Sequence, residues 1–178
     1  ATILTRRHKE AIVGSRVPIV MIGQKADYVS CVYHDDFAAA RELTGLLVRT
    51  GRRQIGMLSV TQKDLAAGAA RLRGFTEALR EHGMQAMPER IISTDFTLKA
   101  GYESCRRLMQ ACPGTDAILC ATDTIAVGAM QYLREQGKAV PGEVALAGVG
   151  HNRLSGILTP RLTTAHYYYK TSGVEAAK

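Results

Sequence analysis

The stretch ILCATDTIAVGAMQYL, residues 118–133, passes from an apolar run through a polar turn into a pattern of small and apolar residues. An apolar run, a polar turn and an amphipathic segment in that order are typical of the strand, loop and helix of a parallel βαβ unit. Asp123 would lie at the start of the helix, where the helix dipole favours a carboxylate in any protein. The stretch therefore predicts an α/β fold, and its polar turn is a candidate either for a helix cap or for the edge of a binding site.

The same alternation extends outward along the chain and predicts an open parallel sheet with right-handed crossovers. The first helix pattern has apolar residues at helical spacing and Gly51 placed to end the helix. The apolar residues are Phe37, Ala40, Leu43, Leu46 and Leu47. The predicted strands are VPIVMIG (17–23), QIGMLSV (54–60), RIIST (90–94), DAILCAT (116–122) and EVALAGVG (143–150), with the first and last buried on both faces. The predicted helices are DDFAAARELTGLLVRTG (35–51), AARLRGFTEALREHG (69–83), TLKAGYESCRRLMQA (97–111) and DTIAVGAMQYLREQG (123–137).

The composition is that of a globular domain, with 178 residues of which 46% are hydrophobic and 22% charged. The formal charge of +7 comes from basic residues scattered over separate segments without interleaved aromatics, which favours solvated helix faces over a nucleic-acid groove. The four cysteines lack CxxC spacing, so a reduced, cytoplasmic compartment is expected. Since no apolar run approaches the ~18 residues of a membrane span, no membrane partner is expected.

Motifs for catalysis, phosphate binding and metal binding are not found in the sequence. There is no G-x-S-x-G nucleophile turn, and GAARLRG fits neither a Walker pattern nor a dinucleotide fingerprint. The five histidines have no ligand spacing. We therefore expect no catalytic residues, no metal site and no cofactor.

Parallel sheets bind ligands at the carboxyl ends of their strands, and the residues that follow the predicted strands are rich in hydroxyl, amide and single charged groups. Such groups with one aromatic ring are suited to a polyol. Phe96 would supply the ring, Arg71 a fork for two hydroxyls or a phosphate, and Asp123 a selective acceptor. Each has another interpretation: Phe96 as a lid on the core, Arg71 as a solvated helix residue and Asp123 as a helix-start carboxylate.

Four sequence blocks occur in the order YHDDFAAARELTGLLVRTGRRQIGMLSV, RLRGFTEALREHG, ILCATDTIAVGAMQYLREQGKAVPGEVALAGVG and LTPRLTTAHYYYKTSGVEAA. With these blocks the sequence resembles the effector-binding core of the LacI/GalR family of bacterial transcriptional regulators, and within that family the sucrose- and trehalose-type repressors. The resemblance extends over nearly the whole chain from about residue 17.

The resemblance implies a periplasmic-binding-protein-like α/β fold of two Rossmann-like subdomains with parallel sheets, one only partly present here. Residues 1–30 would be part of the amino-terminal subdomain, 31–34 a hinge crossing and 35–160 the carboxy-terminal subdomain. Residues 161–178 would form another crossing and return to the first subdomain. The family's DNA-binding headpiece is expected to be absent from this chain.

The resemblance also implies which residues contact the effector. Arg71 matches the family's effector-binding arginine, Phe96 its aromatic and Asp123 its acidic residue, while Thr122 stands where many members have asparagine. Gln24 and His151 occupy effector positions at which this sequence departs from the common pattern. Gln24 in place of a cation argues against a phosphorylated disaccharide, although Arg71 and Lys63 leave a sugar phosphate open.

The function implied is that of the sugar sensor of a dimeric, cytoplasmic repressor. A sugar or sugar phosphate in the cleft between subdomains would alter the affinity for operator DNA, which the headpiece contacts. The alternative is a sugar-binding transport receptor without a DNA-binding role, since such receptors share the architecture. An enzyme acting on a sugar phosphate is a third possibility that no residue pattern supports.

Overall fold

Two parallel sheets organise the structure, a computed structural model that describes residues 3–178 apart from the side chain of Leu154. The strands are β1 (Val20–Ile22), β2 (Ser30–Val32), β3 (Ile55–Ser59), β4 (Ile91–Ser93), β5 (Ala117–Cys120), β6 (Ala145–Gly150) and β7 (Thr163–His166). The larger sheet has the order β4-β3-β5-β6-β7 and every neighbouring pair in it is parallel, as the sequence predicts. The smaller sheet pairs β1 with β2, also in parallel.

Helices cover both faces of the larger sheet, and this explains why its strands are apolar without alternation. In β5, Leu119 packs toward α2 and α3, whereas Ile118 and Cys120 pack toward α4 and α5. A π-helical turn, Leu65–Ala70, precedes α3, and a 3-10 turn, Pro88–Arg90, precedes β4. The α-helices are α1 (Arg6–Val13), α2 (Asp36–Arg49), α3 (Arg71–Glu81), α4 (Leu98–Ala111), α5 (Asp123–Glu135), α6 (Arg153–Ile157) and α7 (Tyr169–Ala176).

Side-chain caps fix where the covering helices begin. Asp35, Thr97 and Thr122 accept hydrogen bonds from backbone N–H groups in the first turns of α2, α4 and α5. Directly after α2, Gly51 adopts a positive φ of 91°, which confirms the predicted end of this helix. The caps hold the first turns of these helices at the edge where the strands end.

The prediction that residues 17–23 form a strand buried on both faces is wrong. Only Val20–Ile22 form β1, and Val17 before it is 68% exposed. Within the described residues β1 pairs with β2 alone, and α7 packs against this small sheet. Because one covering helix cannot shield both faces, the side chains of Val20 and Ile22 remain exposed.

Several elements lie in segments where no strand or helix is predicted. β7 pairs with β6 in the larger sheet, with Ala165 opposite Val149, and falls within residues 161–178. β2 overlaps residues 31–34, and the helices α1, α6 and α7 have no predicted counterpart. Among the helically spaced apolar residues of α2, Leu46 is exposed, because it points away from the sheet that Leu43 and Leu47 contact.

Gly101 in α4 and Gly128 in α5 let these two helices cross closely. A Cβ at Gly128 would overlap the carbonyl oxygen of Leu98 and lie 2.7 Å from the backbone nitrogen of Tyr102. Because both neighbours are backbone atoms, we expect Gly128→Ala to lower the free energy of unfolding by about 1–3 kcal/mol, measured by urea denaturation.

Gly173 in α7 provides the matched control, since no atom lies within 4 Å of a Cβ built there. Gly173→Ala is expected to leave the free energy of unfolding unchanged or to raise it by up to about 1 kcal/mol, as alanine favours helices. Equal effects of the two substitutions would contradict the close helix crossing.

Candidate functional site

A cavity of about 570 Å³ lies at the point where the strand order of the larger sheet reverses. The chain leaves β3 for β4 on one side and then returns to place β5 on the other side, and such switch points are where open α/β sheets bind ligands. The start of α3 supplies Arg71 to the cavity wall, and the loops after β4 and β5 supply Phe96 and Thr122. Residues 21–24, after and within β1, supply the facing wall. The volume suits a small molecule of mono- or disaccharide size.

Four of the six residues proposed from sequence line this cavity: Arg71, Phe96, Thr122 and Gln24. Asp123 and His151 are not part of its lining. The structure therefore brings together groups that are far apart in the sequence, from residue 24 to residue 122, but it leaves two of the proposed contacts outside the wall.

Arg71 is held in a buried network beneath the cavity. Its Nε donates to Oδ1 of Asp36 at 2.7 Å, its Nη1 to the carbonyl oxygen of Ala121, and its Nη2 to the Tyr167 hydroxyl at 3.2 Å. Both members of the ion pair are buried. Three of the five guanidinium N–H groups thus serve the protein itself. The fork that the sequence proposed for two ligand hydroxyls is largely engaged by Asp36, Ala121 and Tyr167.

Tyr167 closes this network from the chain segment after β7. Its hydroxyl donates to Oδ1 of Asp36 at 2.5 Å. Burial raises the pKa of Tyr167 well above the ordinary value, and the neighbouring Asp36 raises it further while Arg71 opposes this. The phenol therefore remains protonated and available as a donor, and the network links the start of α2, the start of α3 and the segment before α7.

Aromatic rings give the cavity apolar surface. The ring of His34 stacks on Tyr167 with centroids 4.2 Å apart, and Tyr169 contacts His34 edge to face. Phe96 is half-buried and packs against the core beneath α4 and α5 while it also lines the cavity. Both sequence interpretations of Phe96, core lid and ring in the site, therefore describe part of its environment.

Asp123 and His151 have other partners. Asp123 is fully buried, and its two carboxylate oxygens accept from the Thr164 hydroxyl at 2.6 Å and from the backbone N–H of Asn152 at 2.9 Å. The carboxylate thereby ties α5 to β7 and to the loop after β6. His151 is exposed, has a positive φ of 50°, and places its ring 4.6 Å from that of His166.

Thr122 and Asp64 are both caps that line the cavity. The Thr122 hydroxyl accepts from the backbone N–H of Ile125 at the start of α5. Oδ1 of Asp64 accepts from the backbone N–H groups of Ala66 and Ala67. Asp64 was not proposed from the sequence, although it follows the end of β3, where a ligand site was expected.

His34, Asp36, Tyr167 and Tyr169 were also missed as cavity residues. One acidic residue is enough to cap a helix, and α2 begins with two adjacent ones. The second, Asp36, could therefore have been proposed as a site residue from the sequence. The three consecutive tyrosines at 167–169 could also have been noticed, because a run of large aromatic residues is unusual in a surface segment.

Other features bear on chemistry away from the cavity. Burial raises the pKa of the Cys105 thiol to about 12 and that of Cys120 well above its usual value, so both are poor nucleophiles. Among the described residues there is no group of three His, Cys, Asp or Glu side chains arranged to hold a metal ion. In that same part of the chain, no helix is both long and apolar enough to cross a membrane.

Comparisons with known proteins agree with this architecture. A family model described as the periplasmic binding protein-like domain matches residues 44–178. The sucrose operon repressor of Staphylococcus xylosus is 32% identical over 173 residues, which are 97% of this chain and 53% of the repressor. A structure of the transcriptional regulator CelR with cellobiose has a TM-score of 0.83 at 26% identity and covers 96% of this chain and 60% of its own. The structure of a LacI family regulator from Silicibacter pomeroyi has a TM-score of 0.84 at 29% identity. The match covers 96% of this chain and 64% of the regulator's chain. The chain thus spans about half the length of the curated repressor it matches.

Proposed function

Since the chain belongs to the periplasmic-binding-protein-like domain family, among the effector-binding cores of LacI-type regulators, we propose that it is the sugar-sensing part of a DNA-binding repressor. The observation that carries the proposal is the cavity at the switch point between β3 and β5. A DNA-binding segment outside residues 1–178 would read the operator, and pairing of two copies would match two half-sites.

The lining of the cavity supports a sugar as the ligand. Sugars present hydroxyl groups around their rim and C–H groups on their ring faces, so they bind where hydrogen-bonding groups and aromatic surfaces converge. Phe96 and Tyr169 offer such surfaces, while Gln24 and Thr122 offer polar groups. The regulator CelR, a structural neighbour of this chain, forms a complex with the disaccharide cellobiose.

Two walls that belong to different sheets offer a route from binding to signal. Gln24 follows β1 of the smaller sheet, whereas Arg71 begins α3 and Thr122 follows β5 of the larger sheet. A ligand that contacts both walls favours the arrangement in which both contacts form, and this differential affinity shifts the equilibrium between arrangements. If the DNA-binding segments of two copies are coupled to that equilibrium, they would gain or lose the separation that matches two operator half-sites.

The alternative, a transport receptor, shares the cavity but has no DNA partner. The match to the sucrose operon repressor over 97% of this chain favours the regulator. Relatives among transcriptional regulators likewise favour a binding function over an enzyme. Specific, sugar-dependent binding of duplex operator DNA by the longer protein would distinguish the regulator from the receptor.

The proposal predicts that a sugar stabilises the protein against heat. At a concentration of about 100 times its dissociation constant, the right sugar should add about 2.7 kcal/mol to the free energy of unfolding. For a protein of this size we expect the melting temperature to rise by about 5–10 °C. The measurement is thermal unfolding with sucrose, trehalose, cellobiose and fructose, and with the phosphates of fructose and trehalose.

Polyols also stabilise proteins non-specifically by exclusion from their surface, so mannitol at equal concentration is the control. A selective shift by one sugar at millimolar concentration supports the sensor. If every sugar and sugar phosphate gives the same shift as mannitol, the sugar-sensing proposal is wrong.

A further inference from the structure

A second cavity, of about 390 Å³, adjoins the first one at the switch point. The two cavities share part of their lining, namely Gly23, Gln24, His34, Asp36 and Ala66. A Cβ built at Gly23, on this shared boundary, would meet no atom within 4 Å, so the space beside it is open. A ligand in the first cavity can therefore extend into the second.

The wall of the second cavity contains an aromatic ring that no other ring covers. Tyr33, between β2 and α2, is 48% exposed and lines this cavity but not the first. Within the described part of the chain its ring stacks on no aromatic side chain, unlike the ring of the adjacent His34. Leu65 in the π-helical turn is exposed and lines the same cavity. The apolar surface of both side chains is thus open to a ligand.

Two cations and a carboxylate complete this lining. The side chains of Lys25 and Arg73 form no ion pair or hydrogen bond with any other described residue. Asp35 uses Oδ1 to accept from the backbone N–H of Ala38 at 2.8 Å, which leaves its Oδ2 as an acceptor. All three charged residues are exposed, so a ligand can reach them. Donors and an acceptor therefore surround the same space as the Tyr33 ring.

This combination of groups suits a sugar ring better than a free anion. Exposed cations and single exposed apolar residues are ordinary on a surface when they occur apart, but here they converge on one cavity. A sugar ring offers C–H groups to an aromatic face and hydroxyl groups to donors and acceptors around it. A phosphate would meet the two cations, but it would also meet the carboxylate of Asp35 and would leave the Tyr33 ring unused.

We propose that the second cavity is a subsite for one further sugar ring, so that the ligand is longer than the sugar that the first cavity holds. The added ring lies against Tyr33, and its hydroxyl groups meet the two cations and Asp35. The inference rests on the proposed function, because it assigns the length of the ligand that the same site senses.

The test is calorimetric titration of the wild-type chain with two series of sugars that lengthen by one ring at each step. One series is glucose, cellobiose and cellotriose, and the other is fructose, sucrose and 1-kestose. One or two added hydrogen bonds correspond to about a tenfold gain in affinity. We therefore expect the affinity to rise by about tenfold at the step that places a ring in the second cavity.

Variants of Tyr33 and Arg73 assign that rise to the second cavity. Tyr33→Ala should reduce it to less than about threefold, whereas Tyr33→Phe, which keeps the ring, should retain most of it. Arg73→Met removes one donor of the second cavity and should also reduce the rise. Tyr168→Ala is the matched control, because Tyr168 is 62% exposed but lines neither cavity, and it should keep the full rise.

The outcomes separate the inference from the function on which it rests. A rise in affinity that Tyr33→Ala removes and Tyr168→Ala retains supports the subsite. If the wild type binds no longer sugar more tightly than the shortest sugar that binds, or if Tyr33→Ala keeps the full rise, the subsite is overturned while the sugar sensor stands. Absence of binding by every sugar, in both series and in the thermal unfolding measurements, overturns both.

Discussion

Arg71→Met is expected to lower the free energy of unfolding by about 3–5 kcal/mol, the typical cost of removing one partner of a buried ion pair. Asp36 is buried and would keep its negative charge without the guanidinium 2.7 Å away. The Tyr167 hydroxyl would still donate to that carboxylate. Chemical denaturation, with secondary structure followed by circular dichroism, measures the loss.

Arg73→Met is the matched control two residues along the same helix, because Arg73 is exposed. Its substitution is expected to change stability by no more than about 0.5 kcal/mol. Adding Asp36→Asn to Arg71→Met should restore part of the loss, since the uncompensated charge is then removed. Equal stability of the Arg71 and Arg73 variants would contradict the buried network.

This network changes how effector mutants must be interpreted. Loss of sugar response in an Arg71 variant would follow either from a lost ligand contact or from the disrupted contacts to Asp36 and Tyr167. An Arg71 variant therefore tests the ligand site and the buried network together.

The second large effect is expected at Leu47 in α2. Leu47 is 4% exposed and packs in the core between α2, α3 and the larger sheet. Leu47→Ala should lower the free energy of unfolding by about 2–5 kcal/mol, because the cavity it leaves adds to the lost burial. The midpoint and slope of urea denaturation give the value.

The adjacent leucine makes an internal comparison, since Leu46 is 38% exposed. Leu46→Ala is expected to cost less than about 1 kcal/mol, because little apolar surface is returned to water. The sequence places both leucines among the helically spaced apolar residues. If the two alanine variants were equally destabilised, the orientation of α2 in the structure would be wrong.

Leu46 shows where sequence periodicity reaches its limit. Five apolar residues in α2 span more of the helix surface than one sheet can cover, so the pattern predicts the helix but not the edge of its buried stripe. β3, β5 and β6 were predictable because they are apolar on both faces. β7, with the sequence TTAH, has no such pattern, and its place in the sheet comes from pairing with β6.

The position of the cavity was predictable from the sequence, because it depends on the ends of strands whose apolar pattern is strong. The hydrogen-bond partners of individual side chains were not predictable, since Asp36, Arg71 and Tyr167 meet only through tertiary packing. Oδ2 of Asp64 is buried without a hydrogen-bond partner among the described residues, and no residue pattern encodes this either.

The parallel topology also has a consequence for how the chain reaches its fold. Every ladder in the larger sheet joins strands separated by at least one helix, and β3 meets β5 only after α3, β4 and α4 have intervened. Loop-closure entropy must be overcome before any such ladder forms, which makes sheets of this kind slow to fold for their size. Until β5 arrives, one edge of β3 has no neighbour, and open apolar strand edges promote aggregation. The parallel arrangement gathers the cavity loops at one edge of the sheet. It therefore also lengthens the time during which a newly made chain can aggregate with other chains.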